Sequence, residues 1–109
     1  MNRPVQTCTF AKKEWLMREK IIEHKFLMEV KKIGGLALKF VSPGFDGVPD
    51  RIVLLPGGKI GFVEVKAPRE KPRPLQLARH NRLRQLGFKV YILDGTDQIG
   101  GILDEIQTT

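Results

Sequence analysis

The chain has 109 residues, with 19 Lys and Arg against 12 Asp and Glu, which gives a formal net charge of +7. This length suits one domain with a modest core, so we expect a single domain over residues 1–109. Its apolar runs are too short to span a bilayer. The single cysteine, Cys8, excludes an internal disulfide and a cysteine-based zinc site. Because residues 1–13 lack the apolar core of a signal peptide, we expect a cytoplasmic protein.

The positive charge is concentrated in two stretches of the chain. Residues 1–32 hold eight basic and four acidic side chains, a net +4, and residues 67–89 hold seven and one, a net +6. Residues 90–109 hold four acidic side chains and no basic one, a net −4. This uneven distribution indicates contact with a polyanion, although a merely solvated basic surface would have the same composition.

The hydrophobic pattern predicts a mixed α/β domain in the order α-β-β-β-α-β-α. An apolar stripe at helical spacing, from Trp15 to Ile33, predicts a first helix over residues 13–33. The other elements follow in chain order: a strand Leu36–Val41, a Pro- and Gly-rich loop Ser42–Pro49, a hairpin of strands Arg51–Leu55 and Ile60–Lys66 about the turn Pro56–Lys59, a helix Leu75–Leu86, a strand Lys89–Leu93 and a short helix Gln98–Ile106.

Two expectations concern the second helix and the histidines. In the second helix, one side is predicted to hold Leu75, Ala78 or Arg79, Arg82 or Leu83, and Leu86. The two histidines, His24 and His80, are too far apart in sequence to form a helical metal-binding pair, and we expect both on the surface.

An acid and a base end the third predicted strand. Because side chains alternate along a strand, Glu64 and Lys66 share a face, about 6.6–6.8 Å apart along the chain, while Val63 and Val65 face the other way. A carboxylate and an ammonium at the end of a half-buried strand are costly unless they are paired or bind something. The spacing Glu-x-Lys alone is weak evidence, since a solvated strand end would also fit.

A second carboxylate, Asp50, opens the preceding strand, fourteen residues before Glu64. Pro49-Asp50 is also a common way to begin a strand after a turn. The hairpin, however, brings Asp50 and Glu64 to neighbouring strand ends, where two carboxylates and the carbonyl of Val65 provide the oxygen ligands that Mg²⁺ and Mn²⁺ prefer. A lysine two residues beyond, Lys66, could orient or deprotonate water, or stabilise charge on a phosphorane.

The first helix offers a third acid. On a helical wheel Glu19 falls inside the apolar stripe, whereas Glu23 lies at its edge, so Glu19 is predicted to face the core side. The alternative role for Glu19 is a buried ion pair with a basic residue.

These residues resemble the PD-(D/E)xK nuclease superfamily, and within it the VRR-NUC (virus-type replication-repair nuclease) branch. The pattern Asp-x(13)-Glu-x-Lys is loose, but the whole ordered string is specific and covers about residues 19–94. The matching segments are Glu19, Val30–Gly35, Lys39–Gly44, Gly47–Ile52, Pro56–Gly58, Phe62–Pro68, Pro72–Gln76 and Leu86–Phe88.

The resemblance implies a restriction-endonuclease-like fold and Mg²⁺- or Mn²⁺-dependent hydrolysis of phosphodiester bonds in DNA. It implies that Glu19, Asp50, Glu64 and the Val65 carbonyl hold metal, and that Lys66 assists the attacking water. Gln76 occupies the family's glutamine position near the metal site or the scissile phosphate; as a residue type it would equally suit a helix surface. Stand-alone members resemble structure-selective endonucleases of Holliday junctions that act as homodimers in a bacterial or phage-infected cell.

The basic stretch after Lys66 is the expected DNA-binding surface. Its side chains would contact phosphates and not bases, so binding should be salt-sensitive and weakly sequence-specific. They are Arg69, Lys71, Arg73, Arg79, Arg82 and Arg84. The alternatives to a nuclease are a non-catalytic basic DNA-binding module and a structural subunit of a larger nuclease; a pure binder, however, would have no reason to collect acids against the charge of its ligand.

A homodimer would supply the two cuts that a four-way junction needs from one gene product. The apolar residues outside the main stripe are candidates for its interface. They are Leu16, Ile21 and Leu27 on the first helix and Ile99, Ile102 and Ile106 near the C-terminus.

Overall fold

A computed structural model describes the backbone of residues 4–108 and the side chains of residue 14 and of residues 16–108. Each predicted element is present, in the predicted order. The elements are α1 (Pro4–Lys32), β1 (Leu36–Lys39), β2 (Arg51–Leu55), β3 (Lys59–Val65), α2 (Pro74–Gln85), β4 (Val90–Leu93), a 3-10 turn (Thr96–Gln98) and α3 (Ile99–Gln107). The one large difference is that α1 begins nine residues before the predicted start.

The four strands form one mixed sheet in the order β1-β2-β3-β4. β2 and β3 form the predicted antiparallel hairpin, in which Arg51 lies opposite Val63. β4 runs parallel to β3, with Leu93 beside Val65, so α2 is the crossover between them. The start of β2 and the end of β3 therefore lie together at one end of the sheet.

Helices α1 and α3 cover one face of this sheet and enclose the apolar core. Ile22, Phe26 and Val30 of α1 pack there with Val63 and Val65 of β3. Since side chains alternate, Glu64 points to the opposite face, where it contacts α2. The side chain of Trp15, which the sequence places in the same stripe, lies outside the described residues. Within the described residues, no helix is long and apolar enough to cross a membrane.

The buried side of α2 is polar and not apolar, which corrects the prediction for His80. Leu75 and Leu86, on the side of the helix that carries its leucines, are half exposed. Gln76 and His80 are instead the buried residues of this helix, and His80 has no exposed surface at all, so it is not a surface histidine. His24 is exposed on α1, as expected.

Helix α3 belongs to the core. Ile99, Ile102 and Ile106, which we expected at a dimer interface, are buried among the side chains of α1 and the sheet. They recur at spacings of three and four residues, and that apolar face closes the core of this chain and is unavailable to a second copy. The exposed candidates for an interface are on α1, where Leu16 and Ile21 are each 61% exposed.

The packing of α3 depends on the absence of a side chain at Gly61 of β3. A Cβ there would lie 2.6 Å from Cδ1 of Ile106. Gly61→Ala should therefore destabilise the protein by about 1–3 kcal/mol through overpacking, measured by thermal or urea unfolding. Gly100→Ala, in α3 and with no atom within 4 Å of the new Cβ, is the control and should be neutral or slightly stabilising. An unchanged stability of the Gly61 variant would show that α3 does not pack as described.

Candidate functional site

Asp50 and Glu64 lie side by side at the end of the sheet. They are one residue beyond the pair formed by Arg51 and Val63, and directly opposite residues of an antiparallel pair share a face. The backbone N–H of Val65 donates a hydrogen bond to Oδ1 of Asp50 at 3.2 Å, and the N–H of Phe40 donates to the Asp50 carbonyl at 2.9 Å. The strand register thus brings the two predicted carboxylates together.

Helix α2 fixes Glu64 from the other side. The Glu64 side chain is almost completely buried, and Nε2 of Gln76 donates to its Oε2 at 3.1 Å. Oε1 of Gln76 accepts the backbone N–H of Arg73 at 2.8 Å, where the helix begins. Because both ends of the amide are engaged, the orientation of Gln76 is fixed, and it is a buried partner of Glu64 and not a surface glutamine.

Lys66 is the cation nearest to Glu64 among the described residues. Its Nζ lies 3.6 Å from Oε2 of Glu64, and only 9% of the residue is exposed. The alternation along β3 explains this contact, as the sequence predicted. The lysine is close enough to offset part of the charge of Glu64 while its ammonium remains at the end of the sheet.

Glu19 and Glu23 of α1 have different environments. Glu23 is bound by Arg51, whose Nε and Nη2 donate to its Oε2 at 3.1 and 2.8 Å. Glu19 is partly buried, and burial, together with the charge of Glu70, raises its pKa, while Lys66 lowers it. The helix therefore turns Glu19 toward Lys66 and Glu64, in agreement with the helical wheel.

Glu70 is an acid that sequence reasoning did not select. It follows β3 in a tight turn, where its Oε1 accepts the N–H of Ala67 at 3.0 Å and its N–H donates to the Ala67 carbonyl. Arg69, between them, adopts a left-handed conformation with φ of 68°. Pro68, at the second position, is a local signal for this turn, but it does not indicate that Glu70 lies near Glu19.

Burial and the negative charges around it raise the pKa of Asp50. Burial, and then the charge of Glu64, raise the pKa of Asp50 to about 7, against an ordinary value of 3.8, although the N–H of Val65 partly opposes them. We call Glu19, Asp50 and Glu64 the carboxylate cluster. It lies in a chain of net charge +7, so its crowded negative charge indicates a local site for a cation.

The donor set of the carboxylate cluster suits Mg²⁺ or Mn²⁺, since its side chains offer only oxygen. One of these oxygens, Oε1 of Glu64, is buried without a hydrogen-bond partner among the described residues. In the described part of the chain, no three Asp, Glu, His or Cys side chains converge on one point. An ion would therefore have to draw the carboxylates inward by side-chain rotation.

The basic residues after β3 divide into two groups. Arg69, Lys71, Arg73 and Arg82 are exposed. Arg79 is partly buried: its Nε donates to the carbonyl of Asp46 at 2.7 Å, and its guanidinium lies 3.9 Å from the ring centre of Phe45. Arg79 thereby fastens the loop that leads into Pro49 and Asp50 to α2.

Burial of Asp50, together with repulsion by Glu64, predicts that Asp50→Asn gains thermal stability in a pH-dependent way in EDTA. Because the pKa of Asp50 is raised on folding, its ionisation reduces stability progressively as the pH rises from about 4 to about 7. The melting temperature of the variant should match that of wild type near pH 4 and exceed it by a few degrees at pH 8. Asp104→Asn, an exposed control, should leave the melting temperature unchanged at both pH values. A variant less stable than wild type at pH 8 would contradict this prediction.

Comparisons with known proteins agree with this fold. No model of a protein family matches the chain. A protein of Acyrthosiphon pisum secondary endosymbiont phage 1, p44, whose name designates it as a nuclease, is 61% identical over 82 residues, which are 75% of this chain and 88% of that protein. A solved structure described as a VRR_NUC domain has a TM-score of 0.74 at 33% identity and matches 80% of this chain and 95% of its own. The chain belongs to the VRR-NUC family of nuclease domains.

Proposed function

We propose that this protein is a Mg²⁺- or Mn²⁺-dependent DNA endonuclease that selects branched DNA such as four-way junctions. The observation that carries the proposal is the carboxylate cluster itself: three acids lie at one end of the sheet in a strongly basic chain, and burial together with neighbouring negative charge raises the pKa of Asp50 and of Glu19. Membership of a nuclease family supports phosphodiester hydrolysis as the reaction.

Glu19, Asp50 and Glu64, with the carbonyl of Val65, would hold the ion. Their oxygens are the ligands that a hard divalent cation takes. A bound Mg²⁺ or Mn²⁺ would neutralise phosphate oxygens, lower the pKa of a water molecule and stabilise the leaving 3′-oxygen. The ion would also relieve the mutual repulsion of the cluster.

Lys66 would orient the attacking water and stabilise the negative charge that develops on the phosphate. Its position supports this role, because its ammonium is 3.6 Å from Glu64 and a small part of the residue is exposed. Gln76 would keep the Glu64 carboxylate in one orientation through its Nε2 hydrogen bond. Neither role requires a large movement of the backbone.

DNA would lie along the exposed cations that follow β3. Arg69, Lys71, Arg73 and Arg82 are exposed, and Arg79 adds a fixed guanidinium at the loop that precedes Asp50. Contacts with phosphates give affinity without reading sequence. A basic module without catalysis would use the same surface, but it would gain nothing from a buried carboxylate cluster, which repels DNA.

Removal of the ion or of its ligands should abolish cleavage. With a labelled four-way junction and Mg²⁺ or Mn²⁺, we expect cutting by wild type and none in EDTA, and Asp50→Asn or Glu64→Gln should reduce the rate below detection while a folded circular dichroism spectrum is retained. Cleavage by either variant, or in EDTA, would contradict the proposed chemistry.

Glu19→Gln and Glu23→Gln form a matched pair one helical turn apart. The Glu19 variant should lose more affinity for Mn²⁺ and more activity, because Glu23 is already bound by Arg51. Loss of the Arg51 ion pair should make Glu23→Gln the less stable of the two. If the Glu23 variant has the weaker metal binding, then Glu23 is the ligand on α1.

Catalysis and DNA binding should separate in two variants. Lys66→Ala should lower kcat by about 10²-fold or more while much of the DNA affinity remains. The triple change of Arg69, Lys71 and Arg73 to Ala should instead weaken binding and lower the slope of log affinity against log salt by up to about 2.7, at about 0.9 per phosphate contact. If both variants changed kcat and DNA affinity to the same extent, this division between catalysis and DNA binding would be wrong.

A homodimer would present two such sites to one junction. The apolar side chains of α1 that remain exposed support an interface there; they are Leu16, Met17, Ile21 and Met28. We expect light scattering at micromolar protein to give about twice 12.4 kDa, and Ile21→Glu to give the monomer, whereas Lys20→Glu, on the neighbouring exposed position, should not. A wild-type mass of one chain, with junction cleavage strictly first order in protein, would overturn the dimer.

A further inference from the structure

His80 is the most unusual buried group in the described part of the chain. It is a titratable side chain with no exposed surface, and neither Nδ1 nor Nε2 has a hydrogen-bond partner there. It lies one helical turn after Gln76, on the same side of α2. A buried polar group without a partner is expensive, so its retention calls for an explanation from its surroundings.

The neighbouring atom that could serve His80 is also without a partner. Nε2 of His80 is 3.7 Å from Oε1 of Glu64, the one buried side-chain oxygen among the described residues for which no hydrogen bond is found. The separation exceeds a hydrogen bond by about half an ångström, a distance that a small rotation of either side chain closes. One hydrogen bond would therefore satisfy both of these atoms and leave Nδ1 of His80 as the remaining unpartnered one.

We propose that His80 is a positioning residue that donates a hydrogen bond from Nε2 to Oε1 of Glu64. Gln76 already donates to Oε2 of the same carboxylate at 3.1 Å. Together the two residues of α2 would each donate to one oxygen of Glu64 and fix the plane of the carboxylate. The remaining lone pairs would face the end of the sheet, where Asp50 and Glu19 lie.

The consequence for metal binding rests on the proposed function of Glu64 as a ligand. A ligand that is held in place by hydrogen-bonded partners loses less side-chain freedom when an ion binds. Loss of such partners commonly costs about 10–100-fold in metal affinity. His80 would then act on the ion only through Glu64 and would not touch it.

The hydrogen bond can be tested without any metal. In EDTA, nitrogen-15 NMR of the imidazole should show a proton on Nε2 of His80, protected from exchange with solvent, and Glu64→Gln should shift that resonance. His24, exposed on α1, is the internal reference and should not respond. An Nε2 of His80 that carries no proton would overturn the proposal.

Metal binding then tests the positioning role. Mn²⁺ titrations, followed by the electron paramagnetic resonance signal of the free ion, should give about tenfold weaker binding for His80→Leu. His80→Gln retains an amide N–H at about the same distance from the backbone and should recover most of the affinity, and His24→Gln should match wild type. If the Leu variant does not fold, the comparison of the Gln variant with a His80→Met variant decides in the same way.

The possible results distinguish this inference from the proposed function. Equal Mn²⁺ affinity of the leucine variant and wild type, or equal losses in the leucine and glutamine variants, would overturn the role of His80. If Mn²⁺ does not bind to wild type, or binds equally well to Glu64→Gln, the proposed metal site fails, and the positioning role fails with it, whatever the NMR shows of the hydrogen bond.

Discussion

A nearly buried carboxylate, that of Glu64, imposes the main constraint on this structure. An ionised carboxylate in the interior is costly unless several partners stabilise it. Gln76 of α2 and Lys66, which directly follows β3, contact this carboxylate, and the hydrogen bond proposed for His80 would add a third partner. The polar side of α2 and the hydrogen bond between Arg73 and Gln76 in its first turn both support this one side chain.

The register of the hairpin determines which other groups reach Glu64. Asp50 is opposite it, and the N–H of Val65 contacts Asp50 directly. A shift of one residue would turn Glu64 into the apolar core and bring Val63 or Val65 to α2. The buried valines and the paired carboxylates therefore specify the same register, and α1 adds Glu19 because its apolar stripe faces the sheet.

Hydrophobic periodicity and turn residues in the sequence were sufficient to predict every strand, the hairpin and the placement of Asp50, Glu64 and Lys66. They did not reveal which face of α2 is buried. Its buried residues are Gln76 and His80, and hydrophobic periodicity cannot identify a polar buried face. They also failed for Ile99, Ile102 and Ile106, since an apolar stripe does not reveal whether it packs within a chain or between chains. That Glu70 lies near Glu19 depends on the tertiary structure, which no local pattern specifies.

The charge of the chain is arranged around this site, with acids at the end of the sheet and exposed cations on the segment that follows β3. A crystal structure of the protein with Mn²⁺, with data collected to reveal anomalous scattering, tests the metal site directly. We expect an anomalous peak ligated by the carboxylates of Asp50 and Glu64 and the carbonyl of Val65, with Glu19 turned toward it. A peak elsewhere, or no peak beside Asp50 and Glu64 at saturating Mn²⁺, would contradict the claim that the carboxylate cluster is a metal site.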